Sequence, residues 1–406
     1  MSNSTTFGTL VRVVMLATTP LLAFAQSQLP VLEPTQGIGG TAEETQPVRG
    51  QPPATLLFGA AIALDAGTAL VGMPGYPGDF NEGVGRAAVF VKDHSGAWER
   101  AGTLDPSDGV AGDQFGQRVA LDDDVALVAS ARGIYVFRRV KRNWIQIQKL
   151  PATSAAPLDG GLALEDDVAF VGTSRPEEPS AVEIFEFGKH GRLHQVQTLT
   201  ATEETPGDAF AEDLAVSHNR LIVGAAGDND GQGASYLFGR RGRRWVESQK
   251  LTAIDGQAGE GFGATVSIAD KVVAIGAPTA DINPDFSQCE FGHSGAAYVF
   301  EPHGRFWSEQ QKIATPSDCA ALFAFDLKVS DRWLVAATPA FFPGQNSMSF
   351  VYRRDGGVFA ETAKILNSDE SDAVLALERS TLFVGLPTDR FFSTGEASIY
   401  ELQRSR

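Results

Sequence analysis

Apolar positions along this chain fall into short runs of strand length, each bounded by Gly, Pro, Asp or Asn, and the runs recur in a fixed order. The clearest copy spans Phe262 to Ile313. Phe262-Gly263 opens an alternating run to Ile268, and after a turn at Asp270-Lys271 comes Val272 to Gly276-Ala277-Pro278. A polar loop leads to Gly295-Ala296-Ala297-Tyr298-Val299-Phe300, and a turn at Pro302-His303-Gly304 leads to Trp307 through Ile313. Four such runs joined by turns predict four antiparallel strands, A to D.

The same unit is written along the whole chain, which makes the repeat the first fact about the fold. Strand C ends on an aliphatic-aromatic pair at Val89-Phe90, Val136-Phe137, Ile184-Phe185, Leu237-Phe238, Val299-Phe300, Val351-Tyr352 and Ile399-Tyr400. Strand D opens on a large residue and carries Leu or Ile six positions later, as in Trp98/Leu104, Trp245/Leu251 and Trp307/Ile313. An even separation puts both on one face of a strand, so each pair is a packing stripe. A, B and C occur seven times and D six times, so one outer strand must come from elsewhere. Leu32-Glu33-Pro34 resembles Leu104-Asp105-Pro106, the exit from a D strand, which places the missing strand at Gln26–Leu32, paired with Glu396–Leu402. Residues 33–57, rich in Gly, Pro, Thr and Glu, then read as a flexible loop insertion. The expected fold is all-β: a seven-bladed β-propeller of four-stranded antiparallel blades, its ring closed by the N-terminal strand so that no sheet edge is left open.

Residues 1–25 have the form of a secretory signal. Arg12 is the only charge, Val13 to Ala25 is mostly apolar, and Ala23-Phe24-Ala25 is a small-x-small cleavage site. The apolar run is short and broken by Pro20, so no transmembrane segment is expected. Residues 26–406 then form one domain, since a ring of repeats needs no second core. The expectation is an exported monomer, periplasmic or extracellular.

Charge adds a polarity to this picture. The net charge is -17, from 33 basic and 50 acidic residues, which argues against nucleic acid as a partner. In such a blade the B–C and D–A loops share one face of the disc, and the A–B and C–D turns share the other. Acidic residues gather in the first set; Asp79, Glu82, Asp281, Asp285 and Glu290 mark it as the candidate binding face. Arg and Lys gather in the C–D turns, for example Arg138, Arg139, Lys189, Arg240, Arg241, Arg305, Arg353 and Arg354. These turns could simply be solvated, or the basic rim could anchor the protein to an anionic envelope polymer.

Phe-Gly at the start of strand A, Gly-Ala-Pro at the end of strand B and Gly-x-Ala-Tyr-Val-Phe in strand C together resemble the FG-GAP repeat of integrin α-subunit propellers and secreted bacterial proteins. Phe262-Gly263 with Gly276-Ala277-Pro278 is a full match, and Phe58-Gly59 with Gly72-Met73-Pro74 is close. The most degenerate copy has only Leu158-Asp159-Gly160 with Gly172-Thr173. The resemblance implies recognition of a protein or glycan through the B–C and D–A loops, and calcium loops of Asp-x-Asp-x-Asp-Gly type between strands A and B. At those positions stand Asp122-Asp123-Asp124, Glu165-Asp166-Asp167 and shorter pairs, which lack the alternating oxygen ligands calcium requires. Asp228-Asn229-Asp230, in a B–C loop flanked by Gly227 and Gly231, does alternate carboxylates and is the candidate metal site; ordinary turn chemistry would use the same residues.

Cys289 and Cys319 fall in loops of the same face, and an exported chain would join them as a disulfide. Motifs for a nucleophile elbow, a zinc helix or a phosphate loop are missing from the sequence. Asp113, Asp208 and Glu260 recur just before strand A, and recurrence favours a structural role. The reading is therefore a non-catalytic binding or adhesion propeller with no cofactor except, at most, calcium. A structural envelope component and a polysaccharide-acting enzyme are the alternatives.

Overall fold

The computed structural model describes residues 30–39, 57–75, 83–151, 160–173, 179–280, 295–314, 322–340, 346–369, 371–387 and 395–403. They form seven four-stranded antiparallel sheets arranged as the blades of a propeller. Blade 1 is built from Ala61–Asp65, Thr68–Met73, Arg86–Lys92 and Trp98–Leu104, and blade 2 from Arg118–Asp122, Val125–Ser130, Gly133–Val140 and Asn143–Pro151. Blade 3 follows with Leu162–Glu165, Val168–Thr173, Ala181–Phe187 and Leu193–Leu199, and blade 4 with Phe210–Ser217, Arg220–Ala225, Ala234–Arg241 and Arg244–Leu251. Blade 5 contains Thr265–Ala269, Val272–Ala277, Ala296–His303 and Phe306–Ala314. Blade 6 contains Asp326–Val329, Trp333–Thr338, Asn346–Asp355 and Val358–Asp369. Val374–Glu378, Thr381–Leu386 and Glu396–Glu401 supply strands A to C of blade 7.

The fourth strand of blade 7 does come from the N-terminal region, but it is Gln36–Gly39, not Gln26–Leu32. It pairs antiparallel with Glu396–Glu401, Gln36 opposite Ile399 and Ile38 opposite Ala397. The segment read as a loop insertion at 33–57 therefore holds the closing strand. The physical reason lies in the stripe rule itself. Leu32 and Ile38 are six apart, so Leu32 is the opening residue of this D unit and not its last. Leu32 packs against the core between blades 6 and 7, and Ile38 is buried in the core between blades 7 and 1. Just before it, Pro30–Leu32 run along blade 6, where the Leu32 N–H donates to Lys364 O at 2.8 Å and the Lys364 N–H to Pro30 O at 3.1 Å. Ten residues thus join three blades.

Between every pair of neighbouring blades lies one apolar cluster, seven in all. The repeat motif explains how the blades come close enough to form them. The Phe opening strand A is fully buried and meets strand-C rings edge to face; Phe262 stands 5.3 Å from Tyr298 and 6.0 Å from Phe300, centre to centre. Each such pair adds about 0.5–1.5 kcal/mol beyond its area. The Gly after the Phe has positive φ (97° at Gly116), and its carbonyl abuts the strand-B Gly of the preceding blade. A Cβ on Gly72 would stand 2.0 Å from Gly116 O, and one on Gly224 2.0 Å from Gly263 O. Both glycines of the motif therefore serve one contact, backbone against backbone across a blade boundary.

Candidate functional site

The two ends of the central channel are built differently. On one face the A–B turns are short and alike, such as Ala66-Gly67, Asp123-Asp124 and Asp270-Lys271. On the other, the B–C connections range from Ala131-Arg132 in blade 2 to residues 278–295 in blade 5. Asp79, Glu82, Asp281, Asp285 and Glu290, the candidate binding face, fall outside the described residues, as do Cys289 and Cys319.

Asp228, Asn229 and Asp230 are described. The loop folds as a tight turn in which Asn229 and Asp230 both have positive φ, 52° and 58°. It is fastened to the loop entering blade 5, the Gly259 N–H donating to Asp230 O at 3.2 Å and the Phe262 N–H to Gln232 O at 3.1 Å. The Asp228 side chain turns inward, where it accepts the Tyr236 hydroxyl at 2.8 Å and pairs with Lys250 Nζ at 2.8 Å. No group of three or more acidic, His or Cys side chains able to hold a metal occurs among the described residues.

This Tyr–Asp–Lys arrangement recurs. Asp108 accepts from Tyr135 at 2.8 Å and pairs with Lys149 at 2.7 Å, and Asp255 does the same with Tyr298 and Lys312. The Tyr and Lys are cross-strand partners in strands C and D. In blades 2 and 5 the Asp comes from the loop leaving the preceding blade, four residues after its terminal D-strand Leu. In blade 4 that position is Glu203, which reaches Lys250 at 2.9 Å while Asp228 takes the tyrosine. Three copies of one ion pair, each joining neighbouring elements, are fasteners. The Lys149 ammonium and then the Tyr135 hydroxyl hold the Asp108 carboxyl below its ordinary range. Asp113, Asp208 and Glu260 are likewise structural, each accepting the N–H three residues earlier: Val110, Thr205 and Gln257.

Facing this acid set, Glu204 is the most perturbed carboxyl of the variable face. Burial, and then the nearby Asp208 and Asp228, push it up to about 7, although the Ser180 N–H donates to its Oε1 at 2.8 Å. Its Oε2 is buried without a hydrogen bond.

At the opposite end, the A–B turns surround a funnel of about 1160 Å³. Its wall is tied together by carboxylates at the ends of A strands, each accepting an N–H from the next blade. Glu378 accepts from Ala66 at 3.3 Å and Asp65 from Asp123 at 2.7 Å. Asp122 accepts from Asp166 and Asp167, and Glu165 from His218. Burial raises the pKa of both Asp122 and Glu165, with Asp65 and Asp123 adding repulsion at Asp122. Deeper in the channel, Asp213 of blade 4, Asp326 and Lys328 of blade 6 and Arg118 of blade 2 interact. Asp213 also accepts the Val266 N–H at 2.8 Å, and Asp326 the Leu375 N–H at 2.7 Å. Burial raises the pKa of Asp213; at Lys328 Asp326 and Asp213 more than offset burial, so its pKa is raised too.

Sequence reasoning missed these inter-blade carboxylates. Their signal was available as an acidic residue recurring at the last position of strand A, at Asp65, Asp122, Glu165 and Glu378. The basic rim is also quieter than its composition suggests, because Arg139 pairs with Asp124 at 2.6 Å, Arg240 with Glu186 at 2.8 Å, and Arg354 with Glu301.

Comparison with known proteins agrees with the architecture. Residues 98–135, 193–238 and 245–300 match the FG-GAP repeat family. No curated protein matches the chain. Among solved structures it is similar to hydrazine synthase of Kuenenia stuttgartiensis, at 10% identity and TM-score 0.56, over 88% of this chain and 99% of that one. It is also similar to Kluyveromyces lactis Hsv2 with complete loop 6CD, at 11% identity and TM-score 0.51, over 82% and 90%. At such identities the likeness is one of fold.

Proposed function

Taking as premise that this chain is an FG-GAP repeat protein folded as a seven-bladed propeller, we propose that it is an exported, non-catalytic binding protein. It recognises a protein or glycan through the face made by its B–C and D–A loops. One observation carries the reading: the A–B turns are held to one form in nearly every blade, whereas the B–C connections differ from blade to blade in length and sequence. A rigid ring that presents unlike loops on one face suits recognition. Apart from Glu204, the acids of the channel and loops hold neighbouring strands or blades together, which leaves them poorly placed to act as a general acid and base pair. Export follows from the signal-like residues 1–25, and in that compartment Cys289 and Cys319 would pair.

The test replaces residues 76–82 and 281–294 by Gly-Ser linkers and compares both proteins on a glycan array and against extracellular proteins. Binding lost in the replaced protein, with the melting temperature kept, supports the loop face. Binding that survives replacement, or turnover of a polysaccharide by the wild type, would sink it.

A further inference from the structure

The A–B and C–D face carries a second feature, a groove of about 370 Å³ between blades 4 and 5. Arg220, Arg240, Arg241 and Arg305 line it together with His218 and Trp307, and the described residues of its wall include no Asp or Glu. In a chain of net charge -17 that wall is an anomaly. Arg240 is neutralised by Glu186, but Arg220, Arg241 and Arg305 have no carboxylate partner among the described residues. Arg241 and Arg305 project from the C–D turns of adjacent blades and are exposed. Arg220 is fixed beneath them: its guanidinium lies 5.6 Å from the centre of the Trp307 ring and donates to Asp270 O at 3.2 Å.

Trp98 and Trp245, at the same position of other D strands, are 5% and 3% exposed, whereas Trp307, like Trp144 of blade 2, is only half-buried, and it lines the groove. Its backbone is clamped at both ends by the Gln249 amide, at 2.8 and 2.7 Å, and the Arg220 guanidinium lies against the indole. The ordered Arg220 guanidinium beside a partly exposed ring preforms the floor of a receptor, with Arg241 and Arg305 at its edge.

We propose that this groove binds an acidic glycan bearing carboxylated sugars, and that the protein anchors through it while the opposite face recognises its partner. Guanidinium groups pair with planar carboxylates in bidentate fashion, and an indole offers an apolar surface to a sugar ring. The arginines are spread over two blades, which fits successive acidic units of a chain better than a lone ion. Duplex or single-stranded nucleic acid would meet the acidic bulk of the molecule and few phosphate contacts. The groove shares His218 with the axial funnel, whose wall carries carboxylates such as Asp270, Asp331 and Asp355, so an acidic chain is held at the rim and not drawn toward the axis.

Titration of the purified protein with oligogalacturonate by calorimetry tests this directly. Binding should weaken at least about tenfold in Arg241→Glu/Arg305→Glu, and also on raising salt from about 0.05 to 0.5 M. Arg142→Glu/Lys189→Glu makes the same charge change on the turns of blades 2 and 3 and should weaken it less than about twofold. Arg241→Gln/Arg305→Gln, which adds no charge, guards against misfolding of the reversal variant and should lie between. Three results would overturn the proposal: no binding by the wild type at low salt, equal weakening in both reversal pairs, or binding to anionic phospholipid vesicles or DNA without binding to oligogalacturonate. Replacing the B–C loops leaves this groove untouched, so the two proposals fail separately.

Discussion

Gln36 holds Trp98 by both ends of one peptide-like grip. Its Nε2 donates to Trp98 O at 2.7 Å, and its Oε1 accepts the Trp98 N–H at 2.8 Å. The same clamp joins Gln148 to Leu193, Gln197 to Trp245, Gln249 to Trp307 and Gln311 to Phe359. Gln36 is the copy that links the last blade to the first. Gln36→Ala removes two hydrogen bonds of about 0.5–1.5 kcal/mol each and leaves the Trp98 backbone groups unpaired. The expected loss is about 1–3 kcal/mol in urea unfolding. An unchanged midpoint would mean that strand pairing alone closes the ring.

The glycine contact between blades makes a sharper prediction. Gly72→Ala forces a Cβ to within 2.0 Å of Gly116 O, and backbone cannot swing aside as a side-chain tip does. A loss of about 3 kcal/mol or more is expected. Gly239→Ala, where nothing lies within 4 Å, is the matched control and should be nearly neutral. Equal effects on the melting temperature would show that the blades yield at their boundary.

How far the sequence revealed this molecule depends on whether each partner leaves a mark in it. The strands did, because Phe-Gly, Gly-Ala-Pro and the aliphatic-aromatic pairs recur in register. The closing strand was misplaced by six residues because Leu32-Glu33-Pro34 imitates the exit at Leu104-Asp105-Pro106; the stripe from Leu32 to Ile38, with the clamp glutamine at 36, carried the correct register. The inter-blade carboxylates were harder. Asp65 meets a backbone N–H of Asp123, and a backbone partner has no residue type to search for. Arg241 and Arg305 are far apart in sequence, and only the packing of blades 4 and 5 places them in one groove.

Glu204 should make stability depend on pH. Burial and neighbouring acids raise its pKa from 4.5 to about 7, so the folded state binds this proton more tightly than the unfolded state does. The associated stability is fully present below pH 4.5 and is lost as the pH rises through about 7. Allowing for its partial exposure, the change is on the order of 1 kcal/mol. Glu204→Gln keeps an acceptor for the Ser180 N–H and cannot ionise. Its melting temperature should draw ahead of the wild type between pH 5 and pH 8 by an amount corresponding to roughly 1 kcal/mol. A constant difference across that range would place the Glu204 pKa near its ordinary value.

Lys250 supplies the positive charge of the acid cluster in blade 4. It pairs with both Asp228 and Glu203, and it lies with Asp208 and Asn229 around a cavity of about 530 Å³. Asp228 is the more buried partner, its side chain 9% exposed against 28% for Lys250. Removing the lysine therefore costs more than removing the charge it balances. Lys250→Met leaves a buried carboxylate without its cation and should cost about 3 kcal/mol, while Asp228→Asn retains an acceptor for Tyr236 and should cost about 1–2 kcal/mol. The order matters for calcium. With the internal ammonium in place, millimolar calcium should leave the wild-type melting temperature where EDTA leaves it. In Lys250→Met the same acids lack a partner, and calcium should recover part of the loss, since a divalent ion is stabilised by several oxygens at once. A calcium-dependent rise in the wild type, abolished by Asp230→Ala, would instead make the Asp228-Asn229-Asp230 loop a true metal site and the lysine a bystander.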